Sequence, residues 1–343
     1  MKIIYNKNHQ QQDCRQEMHY GKMVDSHENA SRMDHMYAAI TTSGQHEMLE
    51  PEDNGIALIE QVHDHGYIEF LRTTWARWST MGKTDPLIPA TWATGSFGGE
   101  HAGGQSNSIP ALIGRYSFAA DAPLTAGTWQ AAYTGAQSAI TAQRLVSAGG
   151  RAAFALTRPP GHHAHKDLCG GYCFLNNAAI AAQGFRADGK KVAIIDIDFH
   201  HGNGTQDIFY DSSDVLTQSL HGDPDTCFPF YLGFESETGT GEGRGYNQNF
   251  AMPLGTGYSD WVVSLNKACE RATAFGAEAL VIPLGVDAHE NDPISGFKLT
   301  TEDFGSAAKV LASLNLPTVI TMEGGYDMES LGKNVATFIN SFS

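Results

Sequence analysis

The sequence has few basic residues, and this shortage disfavours polyanionic ligands. Of its 343 residues, 22 are lysine or arginine and 38 are aspartate or glutamate, which gives a formal net charge of −16 at pH 7. The charge argues against a nucleic-acid partner, because phosphate backbones are bound by basic surfaces. It favours a cationic ligand, but many soluble proteins are acidic, so charge alone identifies no ligand.

The chain also lacks paired cysteine motifs and long apolar runs. Its five cysteines form no CxxC pair and no even set for a disulfide framework, so we expect a reducing compartment. The first ten residues hold no secretory apolar core, and no stretch approaches the length of a membrane span. These absences predict a soluble, cytoplasmic protein without a membrane partner.

Short apolar runs alternate along the chain with longer helical patterns. The candidate strands are Lys2–Tyr5, Ala152–Thr157, Val192–Ile197, Val215–Leu220, Asn249–Pro253, Leu280–Gly285 and Thr318–Met322. The candidate helices are Glu28–Thr42, Ile59–Met81, Thr128–Ala148, Asn176–Ala187, Asp260–Phe275, Glu302–Leu314 and Met328–Phe342. This alternation predicts one α/β domain, in which a mostly parallel sheet has helices on both faces.

The segment 82–127 interrupts the alternation. It is rich in glycine, proline and alanine, and it is too long for an ordinary loop. Its scattered aromatic residues, Phe97 among them, favour an ordered lid or an interface over disorder.

Carboxylate and imidazole side chains follow two of the predicted strands. Asp198 and His200 come directly after one strand, and Asp287 follows another. In open α/β sheets, chemistry lies just beyond the carboxyl ends of the strands. Two carboxylates and one imidazole suit zinc or another divalent transition metal, and they leave a position for water and substrate. The sequence therefore predicts a catalytic metal site.

Further candidate residues also follow predicted strands. His162 and His163 lie on a Pro/Gly turn, and imidazole transfers protons near neutral pH. Tyr326 follows two glycines, where its hydroxyl would serve as an oxyanion donor. The Ser219 hydroxyl and neighbouring carbonyl groups are oxygen ligands of the kind that a hard cation prefers. His289 and Glu290 are interpreted as loop residues.

Several motifs resemble those of the zinc-dependent histone deacetylase family of the arginase–deacetylase superfamily. They are RPPGHHA (158–164), GGYCFLNNAAIAA (170–182), DIDFHHGNGTQDIFY (196–210), SLHGDP (219–224), GVDAHENDP (285–293) and EGGY (323–326), and they occur in the family's order. Within the family, IIYNKNH (3–9), FPFYLGFESETGTGEG (228–243) and DPISGFKLT (292–300) are most similar to the bacterial acetylpolyamine amidohydrolases. The resemblance implies a sheet of about eight strands and hydrolysis of an N-acetyl amide to an amine and acetate.

The resemblance also implies roles for individual residues. Asp198, His200 and Asp287 match the ligands of one zinc ion per subunit. The matching catalytic residues are His162 and His163, one acting as general base and the other as general acid, with Asp196 behind His162, Asn203 as the partner of His163, and Tyr326 as the oxyanion donor. Other family members carry Asp in place of Asn203, and a neutral Asn would leave the pKa of His163 less raised.

Two potassium sites are implied as well. The inner site would use carbonyl groups of Asp196, Asp198, His200 and Leu220 with the side chains of Asp196 and Ser219. The outer site would use the carbonyl groups of Phe209, Ser212, Val215 and Tyr246.

Substrate-binding residues are implied by the same resemblance. Tyr172 and Phe228 match aromatic residues of a tunnel that encloses an alkyl chain and could contact an ammonium group. Asp121 matches an acidic residue that meets the distal amine, where the family usually carries Glu, and Glu17 is a second acidic candidate. Pro110 replaces another acidic residue. In related enzymes the segment corresponding to 82–127 builds a dimer, so a homodimer is expected.

We therefore expect a zinc deacetylase of small cationic substrates such as acetylputrescine, acetylcadaverine or acetylspermidine. A protein lysine deacetylase of the same chemistry is the first alternative. An arginase-like ureohydrolase with two manganese ions is the second, but Gly202 and His289 stand where its DxHxD and DxD motifs need acids. A non-catalytic binding protein would have lost a ligand, a tandem histidine or the tyrosine. The preferred polyamine and the choice among zinc, iron and cobalt stay open.

Overall fold

The computed structural model describes residues 1–42, 44–94 and 106–342, and an eight-stranded parallel sheet lies at its centre. The strands of these ranges are β1 (Lys2–Ile4), β2 (Gln16–His19), β3 (Lys22–Asp25), β4 (Glu47–Leu49), β5 (Ala152–Ala155), β6 (Val192–Asp196), β7 (Val215–Gly222), β8 (Asn247–Met252), β9 (Ala279–Leu284) and β10 (Thr318–Met322). The sheet order is β4-β1-β5-β10-β9-β6-β7-β8, with every neighbouring pair parallel. β2 and β3 form a separate antiparallel hairpin. The predicted α/β fold is confirmed.

Helices cover both faces of the sheet. They are α1 (Ser31–Thr42), α2 (His65–Thr80), α3 (Ile109–Arg115), α4 (Thr128–Ser147), α5 (Asn177–Ala187), α6 (Asn203–Phe209), α7 (Tyr258–Phe275), α8 (Thr301–Ala312) and α9 (Leu331–Phe342). Short 3-10 helices lie at Lys7–Gln11 and Gly241–Gly243. Helices α2 to α6 contribute to the apolar core on one face, and α1 with α7 to α9 contributes to the core on the other.

The central strands are apolar throughout because both of their faces are covered. In β6, Val192 and Ile194 enter one core, whereas Ala193 and Ile195 enter the other. Full burial of a valine or isoleucine side chain contributes about 1.5–3 kcal/mol, so a short run of such residues stabilises the centre of the sheet strongly. This burial also holds the polar residues that follow the strand in a rigid setting.

Three predicted helix starts are wrong by three residues or more: α9 begins at Leu331 instead of Met328, and local contacts explain the other two. The pattern from Ile59 predicted one helix to Met81, but α2 begins at His65. Asp64 caps it, since its Oδ1 accepts bonds from the N–H groups of Gly66 (2.8 Å) and Tyr67 (3.3 Å). Glu28 likewise lies before α1, in a buried ion cluster described below.

Strands β2, β3 and β4, helices α3 and α6 and the two short 3-10 helices were not predicted from the sequence. β4 has three residues at the sheet edge, too few to show a period. α6 begins inside the glycine-rich stretch after β6, where glycine argued for a loop.

The structure describes residues 82–94 and 106–127 of the segment 82–127. α3 lies within it, and Leu87 forms a bridge with Leu124. Gly114 packs so closely that a Cβ there would lie 1.9 Å from the Thr91 carbonyl oxygen. Residues 95–105, including Phe97, lie outside the described residues. A lid or dimer interface therefore stays a prediction, as does the single-domain assignment.

The parallel topology brings several polar loops to one edge of the sheet. The segments that follow β5, β6, β9 and β10, which are neighbours or near neighbours, all leave from this edge. They carry the tandem histidines, the predicted metal ligands and the tyrosine. Among the described residues, the helices are too short or too polar to cross a bilayer.

Candidate active site

The three predicted metal ligands converge beyond the ends of β6 and β9. Ligand atoms of Asp198, His200 and Asp287 lie within 4.8 Å of one another, and all three residues are buried. His200 Nδ1 lies 2.9 Å from Asp287 Oδ2 and 3.5 Å from Asp198 Oδ1. The structure therefore brings together side chains that the chain separates widely.

Backbone N–H groups fix both carboxylates. Asp198 accepts bonds from the N–H groups of His200 (2.9 Å) and Gly324 (2.7 Å). Asp287 accepts one from the N–H of Phe199 at 2.9 Å. The glycine is required, because a Cβ on Gly324 would lie 2.7 Å from carboxylate oxygens of both aspartates.

The electrostatics of the cluster fit a bound cation. Burial and the Asp198 carboxylate raise the pKa of Asp287 to about 7. Burial alone would also raise the pKa of Asp198, but the His162 and His200 imidazoles hold it below its usual value. Two buried carboxylates this close are stable together only when a proton or a cation screens them. Their oxygen atoms and one imidazole nitrogen form a donor set that suits a divalent transition metal.

The tandem histidines have different partners. His162 Nδ1 lies 2.9 Å from Asp196 Oδ2, and His163 Nδ1 lies 2.5 Å from Asn203 Oδ1. Burial lowers the pKa of His162, but the carboxylates of Asp198 and Asp196 outweigh it and raise the pKa to about 10. Burial and the neighbouring imidazoles hold the pKa of His163 well below its ordinary value. The second histidine is therefore the neutral one.

Tyr326 lies on the loop after β10 and is held through its backbone. Its N–H donates to Asp292 Oδ2 at 2.7 Å, and the Arg32 guanidinium carbon lies 4.7 Å from its ring centroid. The preceding Gly325 has a φ of +138°, which a side chain would strain. Burial raises the hydroxyl pKa of Tyr326 well above 10, so the hydroxyl keeps its proton and can donate it.

A cavity of about 370 Å³ lies beside these groups. Its wall includes the predicted site residues Glu17, Asp121, His163, Tyr172, His200, Phe228 and Tyr326. The Phe228 ring meets His163 edge-on at 5.1 Å, and the Tyr172 ring meets Tyr326 at 5.7 Å. Aromatic side chains thus line the approach to the polar cluster.

Two acidic side chains also lie in the cavity wall. Glu17 is buried, and it accepts bonds from the hydroxyl groups of Tyr172 (2.8 Å) and Ser26 (3.0 Å). Asp121 accepts a bond from the Gly171 N–H at 2.8 Å. Burial raises the pKa of Asp121 to about 6. The site therefore combines an apolar wall with two carboxylates.

Comparison with known proteins identifies this arrangement. The family model described as "Histone deacetylase domain" matches residues 26–342. The chain belongs to this family. Membership confirms the prediction of a metal-dependent deacetylase, whose possible metal site is the cluster of Asp198, His200 and Asp287.

Relatives resemble this deacetylase along its whole length. It is 43% identical to acetylpolyamine amidohydrolase 1 of Pseudomonas aeruginosa, over 100% of this chain and 99% of the relative. It is 43% identical to the acetylpolyamine amidohydrolase of Mycoplana ramosa, over 99% of this chain and 98% of the relative. A crystal structure of an acetylpolyamine aminohydrolase from Burkholderia pseudomallei superposes with a TM-score of 0.94 at 39% identity, covering 100% of this chain and 98% of the other.

The residues of the two predicted potassium sites lie near opposite ends of β7. Asp196 is paired in register with Ser219, next to Leu220. Near the other end of the strand, the Phe209 carbonyl accepts a bond from the Ser212 N–H at 3.0 Å. The Tyr246 carbonyl accepts one from the Thr217 N–H at 2.9 Å, two residues after Val215.

A buried ion cluster behind the deacetylase site was not predicted from the sequence. Glu28 Oε1 lies 2.9 Å from Arg32 Nη1 and 2.7 Å from Arg158 Nε. Arg32 also donates to the carbonyl groups of Glu323 and Gly325, each at 2.7 Å. The cluster therefore ties the N-terminal region to the loops of the tandem histidines and Tyr326. The i,i+4 spacing of Glu28 and Arg32 was the available signal.

Glu323 is a second residue that sequence reasoning did not single out, although it begins the EGGY motif. Its Oε2 accepts bonds from the N–H groups of Gly161 (2.6 Å) and His162 (3.0 Å). Burial raises its pKa to about 7. Glu323 therefore joins the loop after β10 to the histidine loop.

Replacing Glu28 with Gln should destabilise the protein by about 3–5 kcal/mol, because two buried arginines would lose their carboxylate. The free energy of unfolding from denaturant titration checks this. Glu69→Gln is the matched control, since Glu69 pairs with Arg72 on the surface, where side-chain exposures are 40% and 48%. That change should cost no more than about 1 kcal/mol. Equal losses in both variants would contradict the structural role of the buried cluster.

Proposed function

We propose that this deacetylase hydrolyses N-acetylated polyamines, such as acetylputrescine, acetylcadaverine and acetylspermidine, to the free amine and acetate. The cavity gives the main support for this proposal, because its wall contains Glu17 and Asp121 together with Tyr172, Phe228 and the catalytic groups. An aromatic wall suits a slender alkyl chain, and carboxylates suit its distal ammonium group. The full-length similarity to acetylpolyamine amidohydrolases supports the same substrate class.

Asp198, His200 and Asp287 would hold the catalytic metal, for which we propose zinc. Bound there, zinc would lower the pKa of a water molecule and polarise the acetyl carbonyl group. The buried donor set and the raised pKa of Asp287 support this assignment. The three residues leave room for substrate because the cavity reaches His200.

His163 acts as the general base and then as the general acid. It lies in the cavity wall, and the lowered pKa leaves its imidazole neutral. With Nδ1 bonded to Asn203, Nε2 can take a proton from the attacking water as the C–O bond forms. The same nitrogen returns the proton to the amine nitrogen as the C–N bond breaks. His162 lies beside it, with Nδ1 bonded to the Asp196 carboxylate.

Tyr326 stabilises the negative charge that develops on the acetyl oxygen. Its hydroxyl stays protonated, and its backbone is held by Asp292. A donor that is already oriented costs no reorganisation during the reaction.

We further propose potassium at the two predicted sites. At the inner site, the buried Asp196 carboxylate lies beside Ser219 in the sheet register, and oxygen atoms are the ligands of hard cations. At the outer site, the Phe209 carbonyl accepts a single backbone bond, which leaves a lone pair on its oxygen, whereas the Tyr246 carbonyl accepts both the N–H and the hydroxyl of Thr217. An ion at the inner site would stabilise the carboxylate that orients His162.

We also propose a homodimer and a cytoplasmic location. A homodimer through the segment 82–127, inserted in a single domain, would cover part of the cavity mouth. A cytoplasmic location accords with five cysteines that form no disulfide among themselves. The charge of −16 disfavours nucleic acid and favours a cationic substrate.

The test compares acetylcadaverine, acetylspermidine and an acetyl-lysine peptide on one zinc-reconstituted preparation. We expect kcat/KM to be higher for both small amines than for the peptide. Better turnover of the peptide than of both amines would replace the polyamine proposal with a protein lysine deacetylase.

Asp121→Asn should lower kcat/KM for acetylcadaverine about tenfold, because the distal ammonium loses a partly buried counter-charge. The loss should appear mainly in KM. A matched substrate that ends in a methyl group instead of the ammonium is the control, and its kcat/KM should change little. An equal loss on both substrates would contradict a charge role for Asp121.

The pH dependence follows from the pKa of Asp121, which burial raises to about 6. The carboxylate is charged above this pH and neutral below it. The preference of wild type for the cationic over the methyl-terminated substrate should therefore fall as pH drops from 7 to 5. In Asp121→Asn, this preference should already be low and should change little with pH.

A further inference from the structure

A chain of hydrogen-bonding side chains leads from His163 towards the surface. His163 Nδ1 lies 2.5 Å from Asn203 Oδ1, and Asn203 Nδ2 lies 2.7 Å from His165 Nε2. His165 Nδ1 then faces Asp207 Oδ2 at 3.4 Å. Side-chain exposure is 12% for His165 and 40% for Asp207, so the chain runs from the buried site to solvent.

The hydrogen bonds between these four side chains all run in one direction, with each donor placed against an acceptor. An amide nitrogen can only donate, so His165 Nε2 must accept from Asn203 Nδ2 and cannot carry a proton. The proton of His165 is then on Nδ1, where it faces the Asp207 carboxylate. In a neutral imidazole, the reverse order would place a bare Nδ1 against that carboxylate, which is repulsive. Asp207 also accepts the Lys166 N–H at 3.2 Å, so its position is fixed.

The donor-to-acceptor order of these hydrogen bonds determines the tautomer of His163. With Asn203 Nδ2 committed to His165, Asn203 Oδ1 is left to accept from His163 Nδ1. The proton of His163 is therefore on Nδ1, and Nε2 is free for proton transfer in the cavity. The partner of His162 needs no such orientation, because the Asp196 carboxylate has acceptor atoms only.

We propose that His165, oriented by Asp207, is a positioning residue that fixes the amide of Asn203 and through it the reactive tautomer of His163. This inference rests on the role of His163 in the proposed function. Asn203 needs an orienting partner because its amide has one donor end and one acceptor end. The main chain holds His165 in place, since its N–H donates to the Leu168 carbonyl and its carbonyl accepts from His63 Nδ1, both at 2.9 Å.

The test combines His165→Leu, His165→Gln and a change of Asn203 to Asp. Leucine fills space but accepts no hydrogen bond, so His165→Leu should lower kcat about tenfold, with KM and metal content unchanged. The side-chain oxygen of glutamine can accept from Asn203, so His165→Gln should keep kcat within about threefold of wild type. In the Asn203→Asp protein, whose carboxylate needs no orientation, adding His165→Leu should change kcat by less than about twofold.

A spectroscopic readout makes the test independent of the substrate. Imidazole nitrogen NMR of metal-loaded protein labelled with ¹⁵N-histidine should show His163 protonated on Nδ1 in wild type and in His165→Gln. His165→Leu should show a mixture of tautomers. If wild type fails to hydrolyse acetylated polyamines, the proposed substrate is wrong, yet the tautomer of His163 still decides the role of His165.

His65→Leu is the matched control, because His65 Nδ1 also faces a carboxylate, Glu60 Oε1 at 3.6 Å, but lies on the surface. It should leave kcat and the His163 signals unchanged. The proposal is overturned if His165→Leu keeps full kcat with an unchanged tautomer, or if its loss is as large in the Asn203→Asp protein. The second outcome would show that His165 acts by packing alone.

Discussion

Tyr326→Phe should lower kcat by roughly 10²–10³ while metal content stays at the wild-type level. The substitution removes one hydroxyl group and keeps the ring that packs against Tyr172 and Arg32. Burial keeps this hydroxyl protonated, so it can donate to the acetyl oxygen as negative charge develops. Because the interaction strengthens only in the transition state, KM should change little. Steady-state kinetics and metal analysis of the same preparation measure both effects.

Tyr67→Phe provides the control for Tyr326→Phe. Tyr67 is also buried, and its hydroxyl donates to the Phe174 carbonyl at 2.6 Å, but it does not line the cavity. Loss of that bond should reduce stability by about 1–2 kcal/mol and leave kcat near the wild-type value. If Tyr326→Phe retained near-normal turnover, the oxyanion role would be refuted.

Position relative to the strands made the centre of the site predictable from the sequence. Asp198 and Asp287 each follow an apolar run, and parallel strands bring their carboxyl ends to one edge. The tandem histidines and Tyr326 also follow predicted strands, and the structure places them beside the same cluster; the resemblance added their individual roles. What could not be read from the sequence was the support around them, since Arg158 meets Glu28 across 130 residues of chain.

Errors in the predicted elements have local causes. Hydrophobic periodicity continued the α2 pattern back to Ile59, but the Asp64 cap starts the helix at His65. The glycines that flank Asn203 led to the prediction of a loop, but the segment forms the short helix α6, which holds Asn203 against His163. The acid Asp121 was placed by resemblance alone, because no periodic pattern runs through the segment 82–127. Its position in the cavity accords with that assignment.

Asp287→Asn should abolish activity by lowering metal affinity at least about 100-fold, yet it should stabilise the metal-free protein. Asn keeps the oxygen that accepts the Phe199 N–H. It also removes a carboxylate whose pKa is raised to about 7 by burial and by Asp198. In metal-free wild type, that raised pKa costs stability progressively as pH rises from about 4 to 7, and the full cost persists above pH 7.

Thermal unfolding of chelator-treated protein at pH 5 and pH 8 tests this expectation. At pH 8, metal-free Asp287→Asn should be more stable than metal-free wild type by about 2 kcal/mol, and the difference should shrink at pH 5. Adding zinc should raise the melting temperature of wild type only.

Asp198→Asn is the contrasting variant, because both oxygen atoms of Asp198 accept backbone N–H groups. Its amide NH₂ would face one of those donors, so this variant should lose metal and also stability. If Asp287→Asn instead destabilised the metal-free protein as much as Asp198→Asn does, repulsion between the two carboxylates would not lower its stability. A bound cation would then stabilise the site through its coordination bonds alone, without also offsetting that repulsion.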